Sequence, residues 1–379
     1  MDFRLTEEQQ LLRRTVREFA DAEIRPHVRE WDAAQHFPIE LMPKLAALGL
    51  LGIQWPEEYG GAGMSALDYC ICIEEIARVD PSVSLSVAAH NGLSSAHLAM
   101  FGSDAQKRTF LTPLARGEKI GAWGLTEASS GSDAAGLRTT AVKSGDEWVL
   151  NGSKHFTTHG RVGDVMVAMA VTDRAAGPKG ISAFVIERGT PGMTPGKKED
   201  KLGMRASDTS EVVFDNCRVA AGQMIGDEGQ GFVNAMQVLD AGRIGIAALS
   251  VGLAQGAYEA ALRYARERTA FGKTIDRFQA IQWKLADNAT RIEAARLLTY
   301  RAACLKDGGQ RMTFESAMAK LYSSEIAVQA ADDCVQIHGG YGFVKDYPAE
   351  KFFRDVKLTT IGEGTSEIQR LVIARHLLS

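Results

Sequence analysis

The chain has 379 residues, with 43 Lys+Arg against 47 Asp+Glu, a formal net charge of −4, and 45% hydrophobic and 24% charged residues. At roughly 150 residues per domain this predicts two or three domains around a sizeable core, and the near-balanced charge argues against nucleic acid or an anionic membrane as a partner. No apolar run approaches the ~20 residues of a bilayer-spanning helix, and the acidic N-terminus MDFRLTEEQQ does not read as a targeting segment, so a cytoplasmic location is expected.

The first elements are helices punctuated by proline. Thr6-Glu7-Glu8-Gln9 has the form of a capping box, and Leu12, Val16 and Phe19 follow at helical spacing. Helical patterns recur over 39–50, 65–79 and 83–101, with a turn at Pro56-Glu57-Glu58-Tyr59-Gly60-Gly61. Cys70 and Cys72 form a C-x-C, but i and i+2 point to different faces of a helix. With Cys217, Cys304 and Cys334 they make five cysteines, too few for a disulfide framework and without zinc spacing, so buried thiols and no metal are expected.

The middle third alternates with the period of strands at 147–150, 164–171, 181–187 and 211–214. Asn151-Gly152 reads as a hairpin turn. Eighteen of the 38 glycines fall between 121 and 240, and the segment reads as a compact β-barrel or sandwich.

From Gly231 the pattern returns to helix, and no proline stands between Pro195 and Pro348. A long helix over 232–267 carries Gly242, Gly245, Gly252 and Gly256, small residues that let neighbours approach at about 1 kcal/mol each relative to Ala. Helices over 277–305, 313–336 and 366–378 complete a bundle. The expected architecture is therefore α+β and multidomain: an N-terminal helical domain (1–120), a small β domain (121–230) and a C-terminal four-helix bundle (231–379).

Neither G-x-G-x-x-G nor a P-loop opens a β-α unit, which disfavours a Rossmann or P-loop nucleotide site. Three other constellations stand out. The first is the Gly/Ser/Thr-rich run from Trp123 through Leu125, Thr126 and Glu127 to Gly131, Ser132 and Asp133, where backbone N–H groups and hydroxyls can hold a phosphate or a ring edge; a plain linker has the same composition. The second is Arg268-Thr269-Ala270-Phe271-Gly272, where Arg could hold a phosphate and Phe could stack, or where cations merely sit at a helix C-terminus. The third is Gln336-Ile337-His338-Gly339-Gly340 with Gly362-Glu363-Gly364-Thr365-Ser366-Glu367. Here Glu363 lies between glycines ahead of a helix, and burial would raise its pKa toward that of a working base.

Taken in order and spacing, these motifs, together with Ile368-Gln369-Arg370, resemble those of the acyl-CoA dehydrogenase family from about Thr6 to Leu378. The resemblance implies a helical domain, a small β domain and a four-helix bundle. It also implies FAD as cofactor, α,β-dehydrogenation of an acyl-CoA to the trans-2-enoyl-CoA, and electron-transfer flavoprotein as acceptor. Glu363 corresponds to the base that takes the α-proton, its backbone N–H to part of the oxyanion stabilisation, and flavin N5 receives the hydride.

By the same resemblance Trp123, Leu125, Thr126, Gly131 and Ser132 lie along the flavin ring and pyrophosphate, Ser132 touching CoA as well. Phe156, Thr157 and Thr158 match the segment beside the isoalloxazine. Arg268, Phe271, Gln279, Gln336, Ile337, His338, Gly339 and Gly340 hold the adenosine end of FAD from a neighbouring subunit, so a homo-oligomer, a homotetramer, is implied. Thr365, Ser366 and Glu367 complete the cofactor contacts, and Asp240, Arg243 and Gly364 face substrate.

Relatives of isovaleryl and long-chain type carry the base just before the arginine matching Arg243; Gly242 stands there and cannot serve. Gly362 replaces a frequent Tyr, which widens the pocket for a branched or bulkier acyl group. A short-chain or short branched-chain substrate is the first expectation. A bulkier, cyclic or medium-chain acyl-CoA is the alternative, as is a catalytically silent scaffold of the same fold. An oxidase is disfavoured by length.

Overall fold

The computed structural model describes residues 3–378. Helix α1 (Glu7–Phe19) begins where the capping box predicts: Thr6 Oγ1 accepts the Gln9 N–H at 3.2 Å, and Gln9 Oε1 accepts the Thr6 N–H at 3.1 Å. There follow α2 (Val28–Ala34), α3 (Met42–Ala47), α4 (Ala66–Ala77), α5 (Pro81–Ala89), α6 (Ala96–Phe101), α7 (Asp104–Gln106) and α8 (Thr112–Ala115). The predicted helix over 83–101 is present but begins at Pro81, capped by Asp80, and widens into a π-helical turn at His90–Ser95 between α5 and α6. Helices α2, α7 and α8 are too short to show a period in the sequence.

The middle of the chain forms one eight-stranded mixed sheet of β1 (Gly121–Gly124), β2 (Thr140–Ser144), β3 (Glu147–Thr158), β4 (Val165–Val171), β5 (Ile181–Glu187), β6 (Met193–Lys198), β7 (Thr209–Ala220) and β8 (Met224–Ile225). The strand order is β6-β7-β3-β2-β4-β5-β8, with β1 alongside β4 in parallel. Strands β3 and β5 are not neighbours, yet the Trp148 and Phe184 rings meet edge-on at 5.6 Å, so the sheet folds over its own apolar interior. That is the form the expected barrel or sandwich takes.

One turn prediction fails. Asn151-Gly152 lies inside β3, at a register shift against β7. The reversal is at Gly145, φ +64, between β2 and β3. Gly152 serves a close approach instead: a Cβ there would lie 2.6 Å from Thr139 Oγ1, and the Asn151 side chain accepts the Asn216 N–H.

Helix α9 (Gly231–Glu267) is the long helix expected. A small ribbon, β9 (Thr269–Ala270) and β10 (Lys273–Thr274), leads to α10 (Gln279–Asp307), α11 (Thr313–His338), α12 (Ala349–Val356) and α13 (Ser366–Leu378). Its glycines admit neighbouring backbone, for a Cβ on Gly252 would lie 2.2 Å from the Glu74 carbonyl oxygen of α4, and one on Gly256 2.3 Å from that of Arg78. Among the described residues α9 alone is long and apolar enough by composition to cross a bilayer, but 78% of that window is buried inside the fold, as in a core helix. One continuous apolar core runs from α1 and α4 through α9, α10 and α11. A second joins one face of the sheet to α6, α8 and the start of α9.

Candidate active site

A cavity of about 720 Å³ opens where helices, sheet and bundle meet. Leu85, Ala89 and Leu93 line it from the N-terminal helices, Ile246 and Leu249 from α9, and Trp123, Phe156 and Thr158 from the sheet. Its volume and largely apolar wall are those of a site for an organic ligand of cofactor size.

Glu363 stands on the loop between α12 and α13, at φ +53, followed by Gly364 at φ +95. A glutamate in the left-handed region is uncommon and costs backbone strain, which the surroundings must hold. Lys320 Nζ donates to the Gly364 carbonyl at 2.7 Å, while Gln369 Nε2 donates to the same oxygen at 2.9 Å and to the Glu363 carbonyl at 3.2 Å. Both side chains are fully buried. The carbonyls are thus tied back, and among the described residues the Glu363 N–H has no hydrogen-bond partner.

Although Glu363 as a residue is half-buried, its Oε2 is shut from solvent and unpartnered. Burial pushes the carboxyl up to about 7, while Lys320 and Arg243 act in the opposite direction. Arg243, buried beside the cavity, is paired to Asp240, which accepts from Thr313 Oγ1 at 2.6 Å. The result is a carboxyl raised toward neutrality by burial, on the wall of an apolar space, with a free backbone donor next to it.

The loop from Trp123 to Ser132 is fixed from behind. Glu127 and Ser130 exchange backbone hydrogen bonds at 2.8 and 3.1 Å. The Glu127 carboxylate, buried, accepts from Lys154 Nζ at 2.7 Å and from the N–H groups of Arg138 (2.6 Å) and Thr139 (2.9 Å). Lys154 is itself wholly buried, and burial lowers its pKa to about 8 against the pull of Glu127. Trp123, Leu125, Thr126, Gly131 and Ser132 consequently line the cavity. Phe156 and Thr158 do so too, Phe156 as a residue 65% exposed and at φ +53, whereas Thr157 between them is buried with Oγ1 unpartnered.

Gly364 and Thr365 join Glu363 on the cavity wall, and Ser366 and Glu367 line a smaller space behind the loop. Asp240 reaches the cavity only through Arg243. The other group lies elsewhere. Arg268 sits over the Tyr341 ring at 5.8 Å and His338 stacks on Tyr264 at 4.3 Å, which gathers Arg268 and Gln336–Gly340 at the far end of α11. Gln336, Gly339 and Gly340 are exposed there, Gln279 is exposed at the start of α10, and Phe271 on the ribbon is 94% exposed. None of these lines the cavity of its own chain. Ile337 is buried in the core, so its side chain is not available to a ligand.

Lys320 and Lys154, and the apolar wall of Leu85 and Ile246, go unnoticed in the sequence, and Gln369 appears there only within the Ile368-Gln369-Arg370 motif, without a role of its own. The one signal is positional: Lys320 shares a helix face with the small residues Ser316, Ala317, Ser323 and Ser324, three and four positions away and all buried.

Family models for the acyl-CoA dehydrogenase N-terminal, middle and C-terminal domains match residues 6–118, 122–217 and 229–378. A short-chain-specific acyl-CoA dehydrogenase of Clostridium acetobutylicum is 48% identical over 374 residues, 99% of each chain. The butyryl-CoA dehydrogenase structure from Megasphaera elsdenii superposes with a TM-score of 0.98 at 43% identity, all of each chain being covered. A chain solved in work on the electron transferring flavoprotein of Acidaminococcus fermentans gives 0.99 at 46%, again over all of both.

Proposed function

This chain belongs to the acyl-CoA dehydrogenase family, and from that premise we propose that it oxidises a short-chain or short branched-chain acyl-CoA to the trans-2-enoyl-CoA. The observation that carries the reading is Glu363, whose carboxyl is buried, unpartnered and raised to about 7 at the edge of an apolar cavity.

The family's enzymes use FAD, and the residues here suit it. Trp123 and Phe156 offer ring surfaces on the cavity wall, Thr126, Ser132 and Thr158 offer hydroxyls beside them, and the unpartnered Thr157 Oγ1 lies in the same strand. When bound, FAD supplies the acceptor for the β-hydrogen, which departs as hydride. Glu363 takes the α-proton on its carboxylate, so the electron pair of the α C–H bond becomes the new C=C bond. The free Glu363 N–H donates to the thioester oxygen as charge develops there. Arg243, held by Asp240, keeps a positive charge near the carboxylate, and the apolar wall of Leu85, Ala89 and Ile246 excludes water from the acyl chain.

The residues at the far end of α11, with Arg268 and Phe271, would hold the adenosine end of FAD in a neighbouring copy. Exposed Phe271, Phe343 and Trp283 support a homo-oligomer, and the family resemblance makes a homotetramer its expected form. Likeness to the chain from the flavoprotein study supports an electron-transferring flavoprotein as acceptor, and a cytoplasmic location fits this reading. A silent scaffold is disfavoured because a strained, buried glutamate has no structural use. Dye reduction with butyryl-, isobutyryl-, 2-methylbutyryl-, hexanoyl- and glutaryl-CoA tests the proposal; turnover should be highest with a four- or five-carbon acyl group, and no reduction by any of them would refute it.

A further inference from the structure

Lys320 is one of the largest fully buried side chains in the protein, and it is a lysine facing no carboxylate within ion-pair distance among the described residues. A buried ammonium without a salt bridge is costly unless another role offsets it. Its hydrogen bond goes to the Gly364 carbonyl, on the Gly364–Thr365 peptide one step beyond Glu363. Gln369 Nε2, buried on α13, donates to that oxygen and to the Glu363 carbonyl, so two donors from two helices close on one turn. The turn needs holding, since Glu363 and Gly364 are both left-handed and a Cβ on Gly364 would lie 2.7 Å from Gln369 Nε2.

We propose that Lys320 is the positioning residue of the base loop, its ammonium pinning the Gly364 carbonyl, one peptide beyond Glu363, and standing as the counter-charge behind the Glu363 carboxylate, while Gln369 supplies position without charge. The proposal rests on the reading of Glu363 as the base. It divides two tasks that a single hydrogen bond would leave together: geometry, shared by Lys320 and Gln369, and charge, which comes from Lys320.

The groups facing Glu363 are few. Lys320 approaches from α11 and Arg243, paired to Asp240, from α9. From α4 comes Tyr69, whose phenol is held neutral by burial and by the nearby Glu363 charge. Around Lys320 itself stand Arg243, Glu367 and Glu325 besides Glu363, and burial brings its pKa down to about 8. The two groups titrate close together, so the counter-charge is present where Glu363 begins to ionise and fades toward the upper end of that range.

The test is Lys320→Met against Gln369→Leu in the FAD-loaded protein, reading kcat and kcat/KM from pH 5.5 to 9. Loss of the charge removes an influence that favours the ionised carboxylate, so in Lys320→Met the acid limb should move up by about one pH unit with kcat at pH 8 down about tenfold. In Gln369→Leu kcat should fall about tenfold with the limb in place. Difference infrared titration of the Glu363 carboxyl, without substrate, should show the same displacement in Lys320→Met alone; this readout holds even if Glu363 proves not to be the base. If Lys320→Met does not fold, Lys320→Gln, which keeps a donor without the charge, should move the limb equally. A folded Lys320 variant whose acid limb and infrared titration match those of the parent protein would overturn the proposal.

Discussion

Gly242 and Glu363 share one volume: a Cβ placed on Gly242 would lie 2.1 Å from Glu363 Oε2 and 3.3 Å from Leu93 Cδ2. The carboxylate is the free end of a flexible side chain, so it would be pushed aside rather than the backbone. Gly242→Ala should therefore keep its fold and FAD yet lose turnover by about a hundredfold, as expected for a ~1 Å displacement of a reacting group. Turnover with butyryl-CoA, alongside the visible spectrum, checks it. Because a side chain from 242 enters the same space, Gly242→Glu combined with Glu363→Gly should turn over faster than Glu363→Gly alone.

The raised pKa of Glu363 gives two pH dependences. Activity needs the ionised form, so kcat/KM should fall as pH drops through about 7. For stability the sign is opposite. A carboxyl whose folded pKa lies above its unfolded value favours the fold while protonated, and that contribution is lost as pH rises from the ordinary glutamate range through about 7. Glu363→Gln should thus have a higher Tm than the parent at pH 8, the gap closing toward pH 5. Melting curves at the two pH values decide it.

Lys154 and Glu127 brace the loop of Trp123–Ser132 from inside the sheet. Lys154→Met leaves a buried carboxylate without its cation and should cost about 3–5 kcal/mol, with weaker retention of FAD. Adding Glu127→Gln should recover part of the stability. Chemical denaturation and cofactor content after gel filtration read the two effects.

Gly362 has no backbone need for glycine: its φ is ordinary, and a Cβ would meet Leu358 atoms at comfortable distances of 3.5–3.7 Å. It lines the cavity beside the base, so the missing side chain is space. Gly362→Tyr should lower kcat/KM for isobutyryl-CoA relative to butyryl-CoA by about tenfold or more, a discrimination typical of one or two methylenes. Competition between the two substrates measures the ratio.

Long elements were legible from residue order alone. Helix α9 appears through its proline-free run, α1 through its capping box, and Glu363 through the glycines on either side. Asn151-Gly152 misled because the same dipeptide suits a hairpin and a bulge, and only the contact with Thr139 distinguishes them. The cavity wall was hidden for a different reason: Leu85, Phe156 and Ile246 belong to three regions far apart in sequence and meet only in the folded chain. Lys320 and Lys154 read as ordinary surface lysines, since nothing local marks a lysine that the fold will bury. Arg268 and Phe271 were picked out, yet in one chain they lie away from the cavity that holds Glu363, which fits the role proposed for them toward a second copy.

The central claim is that Glu363 is the base of a flavin-dependent acyl-CoA oxidation. Anaerobic mixing of the FAD-loaded protein with butyryl-CoA, following loss of the oxidised flavin colour, tests it in a single turnover. The parent protein should bleach, while Glu363→Gln, equally yellow, should bleach at least about a hundredfold more slowly. Bleaching of Glu363→Gln at the parent rate would contradict the account.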